Sequence, residues 1–321
     1  MPNFTFSFLE EQVRKATNIL ILTHIDPDGD ALGAVLAMKN VLTEWGRNPD
    51  ISFSGKIGAG IKITDKTIPP NIVDTARYDL ILILDTSNPQ RTGIIFPEDL
   101  STLNKVLIID HHLKKDDRMY PQSFNLLINP EAAATCEIIF DLLKEGGKEI
   151  SNVTASYLLL GIYTDTGGFF HSNTTPGLLL KIKELLKRGV LFKNIIQSSF
   201  RGRSVRVLNF WGEKISHAVF HPKLKFIFSW LNQKELDEKK ISTEEISGLV
   251  NLLNMCEEAG FSVFLSDTEQ GKIKGSLRSS EKKGINVNTI SRFLGGGGHR
   301  LAAGFEAPGK VVEKHRSIKI K

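Results

Sequence analysis

Cysteine is nearly missing from this chain: Cys136 and Cys256 are its two, far apart among 321 residues. That scarcity argues against a disulfide framework or a cysteine-built zinc cluster. Both thiols, set among apolar, helix-forming residues, are expected in the core. Long apolar runs are missing as well. No stretch approaches the ~20 consecutive apolar residues that cross a bilayer. The opening MPNFTFSFLEEQVRK carries Glu10 and Glu11 where a secretory signal has its apolar centre. A soluble, cytoplasmic protein is the expectation, with no membrane contact. Internal repeats and low-complexity tracts are absent too, which leaves out solenoids and biased tails.

What is present is enough chain for two cores, because single hydrophobic cores stop growing at about 250–300 residues. Charge divides unevenly along it. Residues 1–200 hold 20 Lys/Arg against 23 Asp/Glu, and residues 201–321 hold 21 against 13. A basic second half suits a polyanionic ligand such as a nucleotide, although basic surfaces also serve solubility alone.

Three short, continuously apolar runs end in polar residues: NILILTHIDPDGD, DLILILDTSN and KVLIIDHH. Such runs fit strands covered on both faces, and helical patterns such as ALGAVLAMKNVLTEWG lie between some of them. The fold class expected is α/β with a mainly parallel sheet, followed by a smaller α+β domain. In that second part KLKFIFSWL, FSVFLSD and KIKGSLRSS read as strands, and STEEISGLVNLLNMCEEAG and NVNTISRFL as helices. SNVTASYLLLGIYTDTGGF reads as a buried helix capped by Ser151 or Asn152 and ended by Gly167–Gly168. The expected division is 1–188, a connection over 189–204, and 205–321.

Ligands of parallel sheets gather outside the carboxyl ends of the strands, which is where the three runs carry ionisable residues. The first supplies His24, Asp26, Asp28 and Asp30, with Gly29 allowing a tight turn. The second closes on Asp85 and the third on Asp110, His111 and His112, while Asp165 ends the helical LLLGIYTD. Buried carboxylates and imidazoles cost several kcal/mol unless paired. Alone, Asp28 or Asp30 reads as a helix cap. Together, His24, Asp28, Asp30, Asp85, His111 and Asp165 form a candidate ligand set for divalent ions. Two ions about 3.5–4 Å apart would suit phosphoryl transfer. Mixed carboxylate and imidazole donors favour Mn²⁺, with Mg²⁺, Co²⁺ and Fe²⁺ open and zinc disfavoured.

RFLGGGGHRLAAGF places four glycines, Gly295, Gly296, Gly297 and Gly298, before His299 and Arg300. Consecutive backbone N–H groups can form an anion nest to which these two side chains would add donors; a flexible connection is the alternative. Arg278, at the end of KIKGSLR, offers a planar fork for phosphate or carboxylate. Arg201, Arg203 and Arg206 read as a solvated helix face. His171, His217, His221 and His315 receive no chemistry.

The order HIDPDGDALG, LILDTSN, IIDHH, YTDTGGF and GGGGHRLAAGF resembles that of the DHH phosphoesterases with a DHH-associated carboxyl-terminal domain, over essentially the whole chain. In length and layout it is similar to the bacterial nano-RNase and pAp phosphatase type. The resemblance implies that His24 and Asp28 hold one metal, that Asp30, His111 and Asp165 hold the other, and that Asp85 bridges them. It further implies that His112 faces the scissile phosphate, that Asp110 orients the motif, and that Arg278, Gly295–Gly298 and His299 grip the substrate across an interdomain cleft.

The expected activity is Mn²⁺-dependent hydrolysis of short oligonucleotides to mononucleotides and of 3′-phosphoadenosine 5′-phosphate (pAp) to AMP. The alternatives are a RecJ-like exonuclease on longer single strands and a non-catalytic nucleotide sensor. GGGGH argues against the pyrophosphatase branch. Nothing calls for a stable protein partner.

Overall fold

The computed structural model describes residues 5–55, 66–96, 105–112, 124–200, 204–241, 245–246, 248–268, 271–298, 300–314 and 317–320. The chain forms two compact units, Met1–Arg201 and Gly202–Lys321. The division falls inside the segment 189–204, most of which is a helix, Phe192–Phe200.

In the first unit, six strands form one sheet: β1 (Ile19–Leu22), β2 (Asp50–Ser52), β3 (Thr67–Ile68), β4 (Leu80–Leu84), β5 (Val106–Asp110) and β6 (Phe124–Ile128). Their order is β3-β2-β1-β4-β5-β6, and every pairing is parallel. Each residue of β1, β4 and β5 is buried, as strands covered on both faces require. The covering helices are α1 (Phe6–Lys15), α2 (Gly29–Glu44), α3 (Thr135–Glu145), α4 (Asn152–Asp165), α5 (Pro176–Lys187) and α6 (Phe192–Phe200). Ser151 caps α4, accepting the Thr154 N–H, and the chain leaves that helix through Gly167 and Gly168, both at positive φ.

This strand order has a physical consequence. From β1 the sheet grows outward through β2 to β3; the chain then returns to the other side of β1 and continues through β4 to β6. The loops after β1 and β4 therefore diverge, opening a crevice at the carboxyl ends of these neighbouring strands. His24 and Asp85 follow these two strands.

The second unit holds α7 (Val205–Ser216), β7 (Val219–His221), β8 (Phe226–Leu231), α8 (Gln233–Lys239), α9 (Leu249–Leu253), β9 (Phe261–Asp267), β10 (Lys272–Arg278), α10 (Val287–Phe293), β11 (Gly297–Gly298) and β12 (Ala302–Pro308), with a hairpin of β13 (Val311–Lys314) and β14 (Ser317–Ile320). Its sheet runs β11-β12-β10-β9-β8-β7, antiparallel except for β8 beside β9. One core gathers Val207, Phe210, Leu249, Leu253 and Phe264; another gathers Ile273, Leu277, Val287, Ala303 and Phe305.

Three expectations change here. The helix expected across STEEISGLVNLLNMCEEAG is only Leu249–Leu253 among the described residues, because Gly248 takes φ 94°, outside a right-handed helix. Cys256, expected in the core, is half-buried in the turn after that helix, with Sγ 3.3 Å from Glu258 Oε2, whereas Cys136 is fully buried. Arg206 is more than a solvated side chain. Its guanidinium donates to the carbonyls of Lys239 and Lys240 and pairs with Glu245 at 2.9 Å, tying α7 to the end of α8. Arg201 and Arg203 lie outside the described residues.

Candidate metal centre

The centre is built from strand ends upward. Past β1, His24 Nδ1 lies 2.8 Å from the Ile25 carbonyl, so Nε2 is the nitrogen turned toward Asp85, with Asp85 Oδ2 at 3.7 Å. Asp28 caps α2, its Oδ1 accepting the N–H groups of Asp30 and Ala31. Capping and ligation do not compete, since Asp28 also offers an oxygen within 4.8 Å of donor atoms of His24 and Asp85. Asp30, which the capping alternative would place at the start of its own helix, instead serves another. It is buried and accepts the Thr135 N–H at 2.6 Å and the Cys136 N–H at 3.0 Å in the first turn of α3. Ala134, the N-cap of α3, has no side-chain acceptor, so Asp30 supplies the missing one.

Asp85, directly after β4, is buried and takes φ 59°, a left-handed conformation costly for a non-glycine residue. The Thr135 hydroxyl donates to its Oδ1 at 2.9 Å. After β5, His111 Nε2 lies 3.5 Å from Asp165 Oδ2, 3.7 Å from Asp85 Oδ1 and 3.9 Å from Asp30 Oδ2. The Ala132 carbonyl, 3.3 Å from His111 Nδ1, turns Nε2 toward these carboxylates. Asp165 is the last residue of α4. His112 holds the outer position, with Nδ1 2.7 Å from Asp110 Oδ1 and 3.8 Å from Asp85 Oδ1. Asp110 is fully buried, and its Oδ2 has no hydrogen-bond partner among the described residues.

Electrostatics agree with the geometry. Burial, followed by the charges of Asp30, Asp28, Asp110 and Asp165, pushes the Asp85 carboxyl well above the usual range. At Asp110 burial acts in the same upward sense, yet the hydrogen bond and charge of His112 outweigh it and hold the carboxyl below its ordinary value. No lysine or arginine among the described residues pairs with Asp30 or Asp85. The chemistry fits divalent cations: Asp30–His111–Asp165, His24–Asp28–Asp85 and Asp85–His111–His112 each present donor atoms within 4.8 Å of one another, with no thiolate among them. Asp85 and His111 belong to two of these groups each.

The glycine-rich segment departs from the expected nest. Gly295 N–H donates to the Arg292 carbonyl and Gly296 N–H to the Ser291 carbonyl, closing α10, while Gly297 and Gly298 pair with Gly304 and Ala303 as β11. Backbone closeness accounts for glycine here. A Cβ at Gly296 would stand 2.2 Å from the Gly304 carbonyl oxygen, and Gly298 takes φ 140° with the Ala302 oxygen 2.6 Å from its would-be Cβ. Arg300, expected to reach an anion, pairs with Glu281 at 2.9 Å; both side chains are exposed, so the carboxylate satisfies the guanidinium locally. Arg278 ends β10, with Nη1 2.9 Å from the Leu277 carbonyl. His299 lies outside the described residues.

Sequence reasoning passed over the turn from β6 into α3, where Ala132, Thr135 and Cys136 hold three of the candidate ligands. A run of small residues before the helical TCEIIFDLL was the available signal. It also passed over His171 and Asn173, whose Nδ1 and Nδ2 lie 3.2 and 3.4 Å from the Asp165 carbonyl.

Two family models match the chain: DHH family, N-terminal domain, over residues 18–162, and DHHA1 domain over residues 223–318. A bifunctional oligoribonuclease and PAP phosphatase NrnA of Thermus thermophilus is 31% identical over 317 residues, covering 95% of this chain and 90% of that protein. The protein of the same name from Bacillus subtilis is 26% identical, covering 89% and 88%. Among solved structures, an exopolyphosphatase-related protein from Bacteroides fragilis superposes with a TM-score of 0.79 at 25% identity, covering 95% of this chain and 91% of its own. RecJ of Thermus thermophilus, solved with Mn²⁺, shares the fold at a TM-score of 0.51 and 13% identity; this chain spans 51% of it.

Proposed function

Because the chain belongs to the DHH family and carries a DHHA1 domain behind its DHH domain, we propose that it is a phosphoesterase that hydrolyses short oligonucleotides to mononucleotides and pAp to AMP. The observation that carries the reading is the convergence of His24, Asp28, Asp30, Asp85, His111 and Asp165 at the ends of neighbouring parallel strands. In this reading His24 and Asp28 would hold one Mn²⁺, Asp30, His111 and Asp165 would hold a second, and Asp85 would serve both. Mg²⁺ or Co²⁺ are possible substitutes. When bound, such cations supply Lewis acidity, making a water more acidic and offsetting charge on the phosphoryl oxygens.

The chain's own residues do the positioning. Asp110, kept ionised and bonded to His112 Nδ1, orients the ring so that Nε2 would meet a phosphoryl oxygen as negative charge builds there. We assign catalysis to residues 1–188 and substrate binding to 205–321, joined by 189–204. Arg278, His299 and Arg300 take the terminal phosphate. Arg300 must then exchange Glu281 for it, and such an exposed pair is worth only about 0–1 kcal/mol. Nucleotide substrates accord with action in the cytoplasm.

Exonuclease action on long strands has weaker support, since the likeness to RecJ is one of fold. The test is a panel of pAp, a 5′-phosphorylated dinucleotide, a long single-stranded DNA and inorganic pyrophosphate, each incubated with Mn²⁺ and with an Asp85→Ala control. Hydrolysis of the first two, lost in the control, is the expected result. Turnover of only the last two would overturn the reading, and tight nucleotide binding without turnover would turn it into a sensor.

A further inference from the structure

We propose that Thr135 is a positioning residue that sets the spacing between the two cation positions, an inference that rests on the metal reading of the centre. Thr135 opens α3 and is fully buried. It donates twice, to carboxylates on different elements, Asp30 in α2 and Asp85 directly after β4. Its N–H meets Asp30 Oδ2 at 2.6 Å, and its hydroxyl meets Asp85 Oδ1 at 2.9 Å. Asp30 belongs to the group with His111 and Asp165, and Asp85 to the group with His24 and Asp28. One residue therefore ties an oxygen of each group to a single helix terminus.

The hydroxyl matters because of what a carboxylate does without it. Rotation of an aspartate carboxyl about its last bond is broad, so the backbone fixes where the group sits but not which way its oxygens face. At Asp85 the two oxygens have different tasks: Oδ2 faces His24 Nε2 at 3.7 Å, while Oδ1 faces His111 Nε2 at 3.7 Å and His112 Nδ1 at 3.8 Å. The left-handed backbone at Asp85 orients the Cα–Cβ bond, and the Thr135 hydroxyl holds Oδ1 in its place. Partners of this kind around a metal ligand typically change affinity or activity about 10–100-fold when removed.

The N–H bond to Asp30 survives any substitution that leaves α3 in place, so side-chain variants isolate the hydroxyl. The experiment is calorimetric titration of Mn²⁺ into the full chain stripped with EDTA, comparing wild type, Thr135→Val and Thr135→Ser, with melting of each metal-free protein and steady-state kinetics on pAp. We expect Thr135→Val to weaken Mn²⁺ binding about 10–100-fold. At saturating Mn²⁺ its kcat should fall with little change in KM, and Thr135→Ser should bind and turn over close to wild type. Wild-type Mn²⁺ affinity in Thr135→Val overturns the proposal, even if its metal-free melting temperature falls, because that is the pattern of a purely structural residue. If Thr135→Val does not fold, Thr135→Ala carries the same comparison. Failure of the wild type itself to bind Mn²⁺ overturns the metal reading instead, and so marks the two failures apart.

Discussion

Asp85 sets stability against function. In the metal-free protein it is a buried carboxylate facing Asp30, Asp28, Asp110 and Asp165, and its carboxyl is pushed well above the usual range. Substitution by asparagine removes that repulsion while keeping the shape. Asp85→Asn is therefore expected to melt higher than wild type in EDTA, yet to lose more activity than the about 100-fold typical of a partner outside the ligand set. A lower melting temperature in EDTA would contradict the electrostatic argument. Asp110→Asn should behave differently. It leaves the cation ligands intact but loosens His112, so activity on pAp should drop about 10–100-fold with Mn²⁺ affinity unchanged, as titration would show. At this scale the sequence was informative about which residues matter. An aspartate or histidine ending an apolar strand has few structural uses, whereas nothing in the letters of Thr135 announces that it faces two aspartates.

Among the elements, the crossing of α2 and α4 brings Asp30 and Asp165 to one place. The helices pack along each other through Gly33 and Gly161. A methyl group at Gly161 would lie 2.6 Å from Asp30 Oδ1 and 2.3 Å from Cys136 Sγ; one at Gly33 would lie 2.6 Å from the Tyr157 carbonyl oxygen. Gly161→Ala should therefore cost about 1–3 kcal/mol of stability by overpacking. Because the displaced atoms include a candidate ligand, it should weaken Mn²⁺ binding too, measurable by melting and titration on the same sample. A second element-scale contact has a pH signature. The Tyr78 hydroxyl donates to Asp50 Oδ2 at 2.9 Å, joining the residue before the β4 region to the start of β2. Burial and then this hydrogen bond push its phenol up from 10.0 to about 12. A raised phenol stabilises the folded state fully below pH 10, and that contribution is lost as pH rises toward 12. Chemical unfolding of wild type should thus weaken more steeply across that window than unfolding of Tyr78→Phe. Strand positions were legible at this scale because continuous burial leaves continuous apolar runs. The glycine-rich segment was not: four glycines describe an anion nest and a tight helix-to-strand corner equally well, and pairing with Gly304 and Ala303 decides for the corner.

For the whole molecule, each unit has cores of its own, and all six candidate cation ligands lie in the first. Binding that favours the folded state stabilises by mass action, about 2.7 kcal/mol at a hundredfold excess over Kd. Calorimetric melting with excess Mn²⁺ is expected to raise the transition of Met1–Arg201 and leave that of Gly202–Lys321 where it stands in EDTA. An equal rise in both would mean the second unit also holds the ion.

Sequence by itself determined the elements and the chemistry: which segments are buried strands, that ionisable residues end three of them, and that the donors are hard and borderline rather than thiolate. These properties are local, since burial on both faces and ligand type are written in consecutive residues. Tertiary structure alone decided convergence. That Asp30 caps α3 more than a hundred residues away, that Thr135 reaches Asp85, and that Gly33 and Gly161 let two helices approach depend on the β3-β2-β1-β4-β5-β6 order and on packing between distant segments. Such contacts leave no periodicity in the chain, because each joins residues whose separation in sequence is arbitrary.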